Sequence, residues 1–469
     1  MAQQAESVAI PKRLPLVIQP DNRDESTDKD AKLVNAYVEK SELTGEYTIF
    51  KRPGLAQTGS TLSGNGYGVY NWLGDIYAIF GATMYKNGVA LVGALDTTGG
   101  VYRFSSCLGA TPKLQFGNGI AAYNYDAGSG IVAIAGANFP SPSVKGWVYL
   151  DGTTYVMDAD ATIRGCDDLN DPSAWTDVLN TLTAQIEPDG GVYLAKQLVY
   201  AIALKEWSSE VFYDAANATG SPLGPVQGAK INHGCANQDS VQEIDGALLW
   251  VTTNRAAAPQ IAMLDNLKFS IVSTKAIDRL LGEADFSDVY SFGIKYEGHR
   301  YYGITIVDSN VTLVYDIAER MWAQWTDTNG DYFPISATTF NSDLGIILQH
   351  KSNGKLYLMD YSYFTDDGSV ITTDIYTPNF DGGVRRRKQL TMMEFVGDQT
   401  TGSVLQVRIN DSDYELTKWS NFRRVDMAAK KPILSNCGTF MRRAWHIRHQ
   451  CTTAMRLKAI ELQIDIGTL

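Results

Sequence analysis

Long apolar runs are missing from this chain of 469 residues. No stretch of 18 consecutive residues is apolar, so we expect no membrane-spanning segment. The first 20 residues lack a basic start followed by an unbroken apolar block, so we expect no secretion signal. Proline is also scarce, with 15 residues against 42 glycines and 25 tyrosines, and this balance favours strands joined by glycine turns over helices.

Cysteine is sparse and scattered. The five cysteines form no CxxC pair and lie far apart in the sequence, at Cys107, Cys166, Cys235, Cys437 and Cys451. This spacing predicts free thiols in a protein made in a reducing cytosol. With 44% hydrophobic and 20% charged residues, the composition is that of a folded protein with a large core.

Motifs for catalysis and for bound cofactors are missing too. No GxSxG elbow occurs, and His233 and His299 stand in turn-rich contexts, so Ser-His-Asp catalysis has no basis. Gly117–Gly119 lacks the following helix and lysine that a phosphate-binding loop needs. We therefore expect no enzymatic activity, no cofactor and no bound metal ion.

One group of carboxylates could still carry chemistry, because paired carboxylates can cleave a glycosidic bond. Its members are Asp158, Asp160, Asp167, Asp168 and Asp171. However, aspartate is common in the turns of β-proteins, and the segment has no Dx[DN]x[DN]G pattern for calcium. The sequence favours a surface turn here.

A second group, formed by His446, His449 and Cys451, is the closest approach to a metal-ligand cluster. On a strand, His446 points to the face opposite to the other two. Structural or interface roles are therefore favoured over metal binding.

The most informative stretch is Asp288–Asp327, which predicts four short strands with tight connections. The predicted strands are Val289–Lys295, Arg300–Val307, Val311–Asp316 and Met321–Thr326. Four antiparallel strands in about 40 residues, ending with Trp322 and Trp325, are typical of one propeller blade, in which aromatic side chains wedge between neighbouring sheets.

Similar units occur from Tyr67 onward. They lie at Tyr67–Val92, Lys113–Ala135, Trp147–Asp158, Gly191–Tyr213, Gly246–Met263 and Tyr332–Asp360. At about 40 to 50 residues per blade, this region predicts an all-β fold with an irregular β-propeller of six to eight blades. Ser273–Leu281 differs, because its apolar positions have helical spacing and Ser273 or Thr274 is a plausible N-cap.

The ends of the chain differ from the middle. Residues 1–31 are polar and predict an arm with little structure, followed by a hairpin around Thr44–Gly45. From Arg385 on, five segments with period-2 alternation predict a small, separate β-sandwich. The expected domains are an arm and closing hairpin over 1–60, a propeller over 61–384 and a basic C-terminal β-sandwich over 385–469.

Charge is divided unevenly between these parts. Residues from Arg385 to the end include 15 basic and 8 acidic residues, a balance of +7. The rest of the chain has 25 basic and 44 acidic residues, a balance of −19. This asymmetry fits either an ordinary solvated surface or a basic module that docks on an acidic partner.

Several segments, in their order and spacing from about residue 34, resemble one known family. They read VNAYVE, KRPGL, DDLNDPSAW, EWSSEVFYDA, INHGCANQDSVQEIDGALLWV, STKAIDRLL, YYGITIVDSNVTLVYDIAERMWAQW and RRAWHIR. The family is that of the packaged-DNA stabilisation proteins of short-tailed bacteriophages, also called tail accessory, tail hub or nozzle proteins. The acidic arm and an insertion at Arg255–Pro259 depart from it, so functions of loops are not carried over.

The resemblance implies a structural virion protein of the phage tail, made in the host cytoplasm. Such proteins are β-propellers that assemble as a ring, usually a homo-hexamer, below the portal and its adaptor. They extend the DNA channel, help to retain packaged double-stranded DNA and anchor tail fibres, spikes or a plug. An acidic lumen would let DNA slide out without adhesion or sequence-specific binding.

A basic run in the tail is the candidate interface. The run comprises Arg385, Arg386, Arg387 and Lys388, and Arg442 and Arg443 are further candidate interface residues. No series of aromatic residues accompanies it, so docking on an acidic face of a neighbouring subunit or adaptor is favoured over contact with DNA. The competing function is that of a carbohydrate-active or carbohydrate-binding propeller, which an export signal and converging aromatic and carboxylate residues would favour.

Overall fold

The computed structural model describes residues 11–16, 18–19, 31–107, 111–136, 138–166, 175, 181–412 and 415–466. Within these ranges the chain is almost entirely β-structure, and a single α-helix is present. No helix in the described part has the length and apolarity that a membrane span needs.

The strands follow one another in three groups. The N-terminal part contains β1 (Pro11–Arg13), β2 (Lys32–Val34), β3 (Ala36–Lys40), β4 (Tyr47–Lys51) and β5 (Gly54–Thr58). Blade 1 contains β6 (Gly66–Trp72), β7 (Asp75–Phe80), β8 (Thr83–Lys86) and β9 (Val89–Ala90). Blade 2 contains β10 (Arg103–Cys107), β11 (Lys113–Gly117), β12 (Ala122–Asp126) and β13 (Gly130–Ala133). Blade 3 contains β14 (Val148–Leu150), β15 (Thr153–Met157), β16 (Thr162–Cys166) and β17 (Thr181–Thr183).

The next group completes the central part of the chain. Blade 4 contains β18 (Gly191–Gln197), β19 (Tyr200–Lys205), β20 (Ser209–Asp214) and β21 (Leu223–Pro225). Blade 5 contains β22 (Gln242–Ile244), β23 (Ala247–Asn254), β24 (Ala257–Asp265) and β25 (Lys268–Ile271), and α1 (Lys275–Glu283) follows it. Blade 6 contains β26 (Val289–Tyr296), β27 (His299–Ile306), β28 (Val311–Asp316) and β29 (Met321–Gln324). Blade 7 contains β30 (Ile335–Asn341), β31 (Gly345–His350) and β32 (Leu356–Asp360), together with β5.

The last group continues from blade 7 to the end of the described chain. It contains β33 (Thr365–Asp366), β34 (Ser369–Val370), β35 (Thr373–Tyr376), β36 (Lys388–Gly397) and β37 (Val404–Asn410). It ends with β38 (Arg423–Asp426), β39 (Ile433–Ser435), β40 (Thr439–Phe440), β41 (Ala444–His449) and β42 (Arg456–Ile466).

The described residues form seven four-stranded blades, five as separate sheets and two within larger sheets. The first strand of each blade contacts the first strand of the next, and β30 of blade 7 contacts β6 of blade 1, which closes the ring. This confirms the predicted β-propeller, with a blade number inside the expected range of six to eight. The repeat is needed physically, because a lone four-stranded sheet cannot cover both of its faces.

Local signals set the boundaries of blade 6 and of α1. All four predicted strands of blade 6 are present within one or two residues of their expected ends. The helix is also present, with Thr274 as its N-cap, since its hydroxyl accepts a hydrogen bond from the backbone N–H of Ile277 at 3.4 Å. Trp322 packs in an apolar cluster between blades 5 and 6 and donates its indole N–H to Val272 O at 2.9 Å. It therefore joins the two sheets, as aromatic residues of a blade are expected to do.

A β-sandwich lies beside blades 6 and 7, and its two sheets share one apolar core. One sheet has the order β3-β4-β42-β36-β39, with β1 also paired to β42 and β40 to β36. The other has the order β2-β35-β41-β37-β38 and continues into blade 6, because β2 pairs in parallel with β29. Tail strands thus form most of the sandwich, but N-terminal strands complete both sheets, so it is not built from residues 385–469 alone.

The described part of the N-terminal arm, residues 11–16, 18, 19 and 31, differs from its expectation. Instead of having little structure, Pro11–Arg13 pairs with β42, and Leu14, Leu16 and Ile18 are buried in the core of the sandwich. The apolar residues between the polar ones explain this, because three alternating side chains are enough to follow one face of a sheet. The predicted hairpin is present as β3 and β4, and it joins the sandwich, whereas β5 joins the propeller.

Arg52, in the short connection between β4 and β5, is the centre of a buried polar network at this closure. Its guanidinium is 1% exposed and binds both carboxylate oxygens of Asp366, at 3.0 and 2.5 Å. It also donates to Asn35 Oδ1 at 2.9 Å and to Thr326 O at 3.0 Å, and it lies 4.8 Å from the ring centre of Phe333. One side chain thereby connects blade 6, the sandwich and the strand that closes blade 7.

Asn35 completes this network from the kink between β2 and β3. Its backbone has φ 52°, in the left-handed region that asparagine tolerates better than most residues. Its amide donates to Thr326 Oγ1 at 2.7 Å and to Thr372 O at 2.8 Å, while its carbonyl oxygen accepts from Thr326 N at 2.8 Å. Every polar atom of the Asn35 side chain is therefore satisfied, as burial requires.

We expect Arg52→Ala to lower the free energy of unfolding by about 3 to 5 kcal/mol, because it leaves the carboxylate of Asp366 without its partner in a buried site. Chemical denaturation followed by tryptophan fluorescence measures this. Asp366→Ala should be nearly as costly, and the double variant should be less destabilised than the sum of the two single variants. Arg385→Ala, which removes an exposed arginine, serves as the control and should change stability by less than about 0.5 kcal/mol. Simple additivity of the two buried variants would contradict the proposed coupling.

Candidate functional site

A small cavity of about 280 Å³ lies on the propeller axis. First strands of several blades line it, and its wall includes Tyr70, Phe104, Tyr193, Lys196 and Glu243. The rings of Tyr70 and Phe104 stack with centroids 5.3 Å apart. Side chains of the first strands therefore border this cavity closely, and its volume is that of one small molecule.

Charges near this cavity are mostly paired. Lys145 Nζ lies 2.7 Å from Asp239 Oδ2, and Arg103 donates to Asp239 O at 3.4 Å while its guanidinium lies over the ring of Tyr193. Burial lowers the pKa of Lys145, and the attraction of Asp239 opposes this. Burial also raises the pKa of Glu243 above its ordinary value. The contacts of Lys145 and Arg103 with Asp239 hold blades 2, 3 and 5 together around the axis.

The structure separates the six basic residues of the candidate interface. Arg385, Arg386 and Arg387 are exposed, and Arg442 is half-buried. Among the described residues, none makes an ion pair with the side chains of Arg385–Arg387. Exposed apolar side chains lie beside these arginines, namely Val384 at 39% and Met441 at 55% exposure. Positive charge around exposed apolar groups is a composition found in protein interfaces.

Lys388 and Arg443, in contrast, are inside the sandwich and each is 1% exposed. Lys388 Nζ donates to Arg386 O at 2.9 Å, to Met441 O at 3.0 Å and to Val384 O. Arg443 binds both oxygens of the Asp411 carboxylate, at 2.6 and 2.7 Å, and lies 4.6 Å from the ring centre of Phe440. These two residues hold the turn that presents the exposed arginines, and their charges are not available to a partner.

The carboxylate group is described only in part, since Asp167, Asp168 and Asp171 lie outside the described residues. Asp158 accepts hydrogen bonds from the backbone N–H groups of Asp160 and Thr162, at 3.1 and 2.9 Å, and Arg164 lies 3.2 Å from its other oxygen. Asp158 thus stabilises the turn between β15 and β16, in agreement with the surface turn that the sequence favours.

The two histidines of the second group point to opposite faces of β41. His446 accepts at Nδ1 from Arg408 Nε at 2.8 Å and contacts Asp374 Oδ1 through Nε2 at 2.6 Å, under the stacked ring of Tyr376. His449 lies on the core side, 3.2 Å from Ser403 Oγ, and burial lowers its pKa to about 4. Within the described ranges, no three His, Cys, Asp or Glu residues are arranged to hold a metal ion.

His299 is the histidine with the most carboxylate contact, and sequence reasoning gave it no role. Its Nδ1 lies 2.5 Å from Asp316 Oδ2 in blade 6, and its Nε2 lies 3.4 Å from Glu39 Oε1 in the sandwich. Tyr301 stacks on the ring, with centroids 5.4 Å apart, and Tyr37 meets its edge. Because both ring nitrogens face carboxylates and neither faces a hydroxyl or thiol, the arrangement is a joint between two parts of the fold rather than a catalytic triad.

A separate cavity of about 250 Å³, which we call the acidic pocket, opens between blades 6 and 7. Asp327, Asp366 and Asp367 are in its wall, and Leu55, Phe333 and Ile335 form its buried floor. His350 also lines it, and burial lowers the pKa of this imidazole to about 4, so it adds no positive charge at neutral pH. Residues from distant parts of the sequence form this pocket, so no sequence motif predicts it.

Comparison with protein families finds a match over most of the chain. The model of the family Phage_stabilise, described as Bacteriophage P22 Gp10, beta-propeller, matches residues 14–363. This range includes β2 to β32 and therefore all seven blades, and it ends before the tail strands of the sandwich. None of the curated proteins matches the chain.

Solved structures share only a distant likeness. A streptogramin B lyase is 10% identical, with 66% of this chain and 98% of that chain covered and a TM-score of 0.43. The virginiamycin B lyase from Staphylococcus aureus is 7% identical, with 65% and 99% covered and a TM-score of 0.43. The N-terminal domain of Nup159 is 11% identical, with 70% and 98% covered and a TM-score of 0.39. Likenesses at this level do not bear on the function of this chain.

The His299 joint predicts a pH dependence of stability. Burial alone lowers the pKa of the imidazole, but the hydrogen bond and charge of Asp316, with Glu39 behind it, outweigh burial and raise the pKa above its ordinary value. A raised native pKa adds stability that is fully present below the unfolded pKa of about 6.5 and is lost as the pH rises through the native pKa. We therefore expect the melting temperature to fall between pH 6 and pH 9 by more in the wild type than in His299→Gln, which cannot titrate. Parallel pH profiles of the two proteins would contradict this assignment.

Proposed function

This chain belongs to the Phage_stabilise family, whose model describes the β-propeller of bacteriophage P22 Gp10, and from that premise we propose how it acts in the virion. Members of the family are structural proteins of the phage virion that act in DNA stabilisation. We propose that this protein is the hub, or nozzle, of a phage tail: several copies form a ring below the portal and adaptor and extend the channel for DNA.

The size of the axial cavity is the observation that carries this proposal. A cylinder only as wide as the major groove of DNA, about 12 Å, and as long as one base step, about 3.4 Å, already occupies about 380 Å³. This is more than the whole cavity of about 280 Å³. The axis of one propeller is therefore not a route for DNA. A DNA channel formed by this protein requires several copies around a common axis, and a ring of copies provides one.

The distribution of charge supports such a channel. Residues 1–384 carry the balance of −19, and a surface of this sign repels the phosphates of DNA. The closed end of the tail can then retain the DNA. During ejection the DNA can slide out without adhesion, because an acidic surface has few cations that could replace the counterions of the phosphates. The basic tail contributes protein contacts instead, through Arg385–Arg387.

The partners follow from this position in the tail. We propose a homo-hexamer that contacts the portal-adaptor protein on one side and tail fibres, spikes or a tail plug on the other. The neighbouring contacts in such a ring are heterologous, meaning that one surface of each copy meets a different surface of the next. Closure then depends on a fixed rotation between copies, which a rigid sandwich fused to the propeller helps to define.

Electron microscopy of the purified protein tests the ring directly. We expect rings with a central hole wide enough for a duplex, either for the protein alone or after addition of the portal-adaptor protein. The same preparation should leave glycans intact. Dispersed monomers under both conditions, together with cleavage of a glycan, would instead support the competing carbohydrate-active function.

Salt should weaken the ring if Arg385–Arg387 dock on an acidic surface, because exposed charges are screened within about 10 Å at 0.1 M salt and about 3 Å at 1 M. Sedimentation at increasing salt should show loss of the ring toward 1 M. The variant R385E/R386E/R387E should fail to assemble even at low salt. A matched reversal of three other exposed basic residues of the sandwich, K418E/R424E/K430E, should still assemble. Rings that are equally abundant at low and molar salt would exclude this mode of docking.

A further inference from the structure

We propose that the acidic pocket, together with the acidic turns of blades 6 and 7 that border it, is the surface on which Arg385–Arg387 of a second copy dock. This inference rests on the proposed ring and deepens it, since it names the two surfaces that meet. It commits to one occupant, the exposed turn Val384–Arg387 of the neighbouring copy.

The acidic pocket belongs to a wider surface of the same sign. Asp331 accepts from Asn310 Nδ2 at 3.0 Å, which joins the turn after β29 to the turn after β27. Lys351 N donates to Pro334 O at 2.8 Å, and Lys351 Nζ lies 3.3 Å from Asp288 Oδ1. These contacts make one continuous surface from turns of blades 6 and 7. Its carboxylates are Asp288, Asp308, Asp327, Asp331, Asp366 and Asp367.

Cations on this surface do not balance its carboxylates. Arg52 is used by Asp366, Lys355 lies 2.7 Å from Asp367 Oδ2, and Lys351 is near Asp288. Asp308, Asp327 and Asp331 have no ion-pair partner among the described residues. Three uncompensated carboxylates thus match, in number and sign, the three uncompensated arginines of the basic run.

The apolar groups of the two surfaces also match each other. The floor of the acidic pocket is apolar, with Leu55 5%, Phe333 1% and Ile335 0% exposed. Arginine has an aliphatic stem that packs on apolar surface while its guanidinium binds carboxylates, often in bidentate geometry. A cavity of about 250 Å³ with carboxylates in its wall accepts such a side chain. Val384 and Met441, which are exposed beside the arginines, extend the apolar contact.

One copy cannot make this contact with itself. From Asp367 at the pocket, the chain continues through β35 (Thr373–Tyr376) to a bridge between Phe380 and Arg443, and only then reaches Val384. An extended strand and this bridge therefore hold the basic run away from the pocket, at the other end of the sandwich sheet. Two complementary surfaces at different places on one rigid chain produce a head-to-tail contact, which closes into a ring or continues as a filament.

Charge exchange between the surfaces tests the inference. The acidic variant D288K/D308K/D331K changes exposed side chains and leaves Asp327, which stabilises its own turn, and the Arg52–Asp366 pair intact. We expect it to lose assembly by at least tenfold in concentration, as R385E/R386E/R387E does. Both variants should remain folded monomers, with the far-ultraviolet circular dichroism of the wild type. The acidic variant loses the surface contacts of Asp288 with Lys351 and of Asp331 with Asn310, so its melting temperature should fall slightly.

Mixing the two variants provides the decisive measurement. In an equimolar mixture, the glutamates of one variant meet the lysines of the other, and the remaining contacts are the natural arginine–aspartate ones. Rings should therefore reappear with the two variants alternating, and native mass spectrometry should show equal numbers of each. A single chain that carries both sets of reversals should also assemble.

The outcomes separate this inference from the proposed function. Wild-type rings together with an acidic variant that assembles normally would overturn the inference and leave the ring intact. Failure of the mixture to restore rings, with both variants folded, would likewise show that the basic run docks elsewhere. Absence of wild-type rings, with and without the portal-adaptor protein, would instead overturn the proposed function itself.

Discussion

The ion pair between Arg52 and Asp366 is the contact on which the rest of the structure depends. A propeller is a closed ring, so its last blade must meet its first, and here the outer strand of blade 7 comes from the N-terminal part of the chain. Bringing the two together costs conformational entropy that no local contact repays. Arg52 lies between β4 and β5 and binds groups from blade 6, from the kink at Asn35 and from the segment after blade 7. The closure of the ring and the position of the sandwich are thereby set at one buried site.

Local features of the fold could be predicted from the sequence. Blade 6 and α1 appear where their alternation, turn residues and N-cap predict them, because hydrophobic period and turn chemistry act over a few residues. The strand pairing of the sandwich could be predicted from the sequence only in part. β42 pairs with β36, which the tail alone contains, but also with β1 and β4, more than 400 residues earlier in the chain. No local signal in Pro11–Arg13 indicates such a distant partner.

The candidate interface, too, could be predicted from the sequence only in part. Strand alternation places Lys388 on the face of Leu390 and Arg443 on the face of Trp445, and all four are buried. This alternation is present in the sequence, so the burial of Lys388 and Arg443 could have been predicted. The acidic pocket could not, because the turns and strands that form it are far apart in the sequence and acquire a common surface only when blades 6 and 7 pack together. Net charge gave the sign of this surface, and the fold gave its position.

The parallel pairing of β2 with β29 makes blade 6 and one layer of the sandwich a single nine-stranded sheet. A propeller joined to a second module by a flexible linker would let that module swing freely, whereas a shared sheet moves as one piece. Force applied at the sandwich is then carried across backbone hydrogen bonds into the blade. The same sheet that packs the core thus acts as a mechanical strut, stiff in its own plane, between the sandwich and the ring of blades.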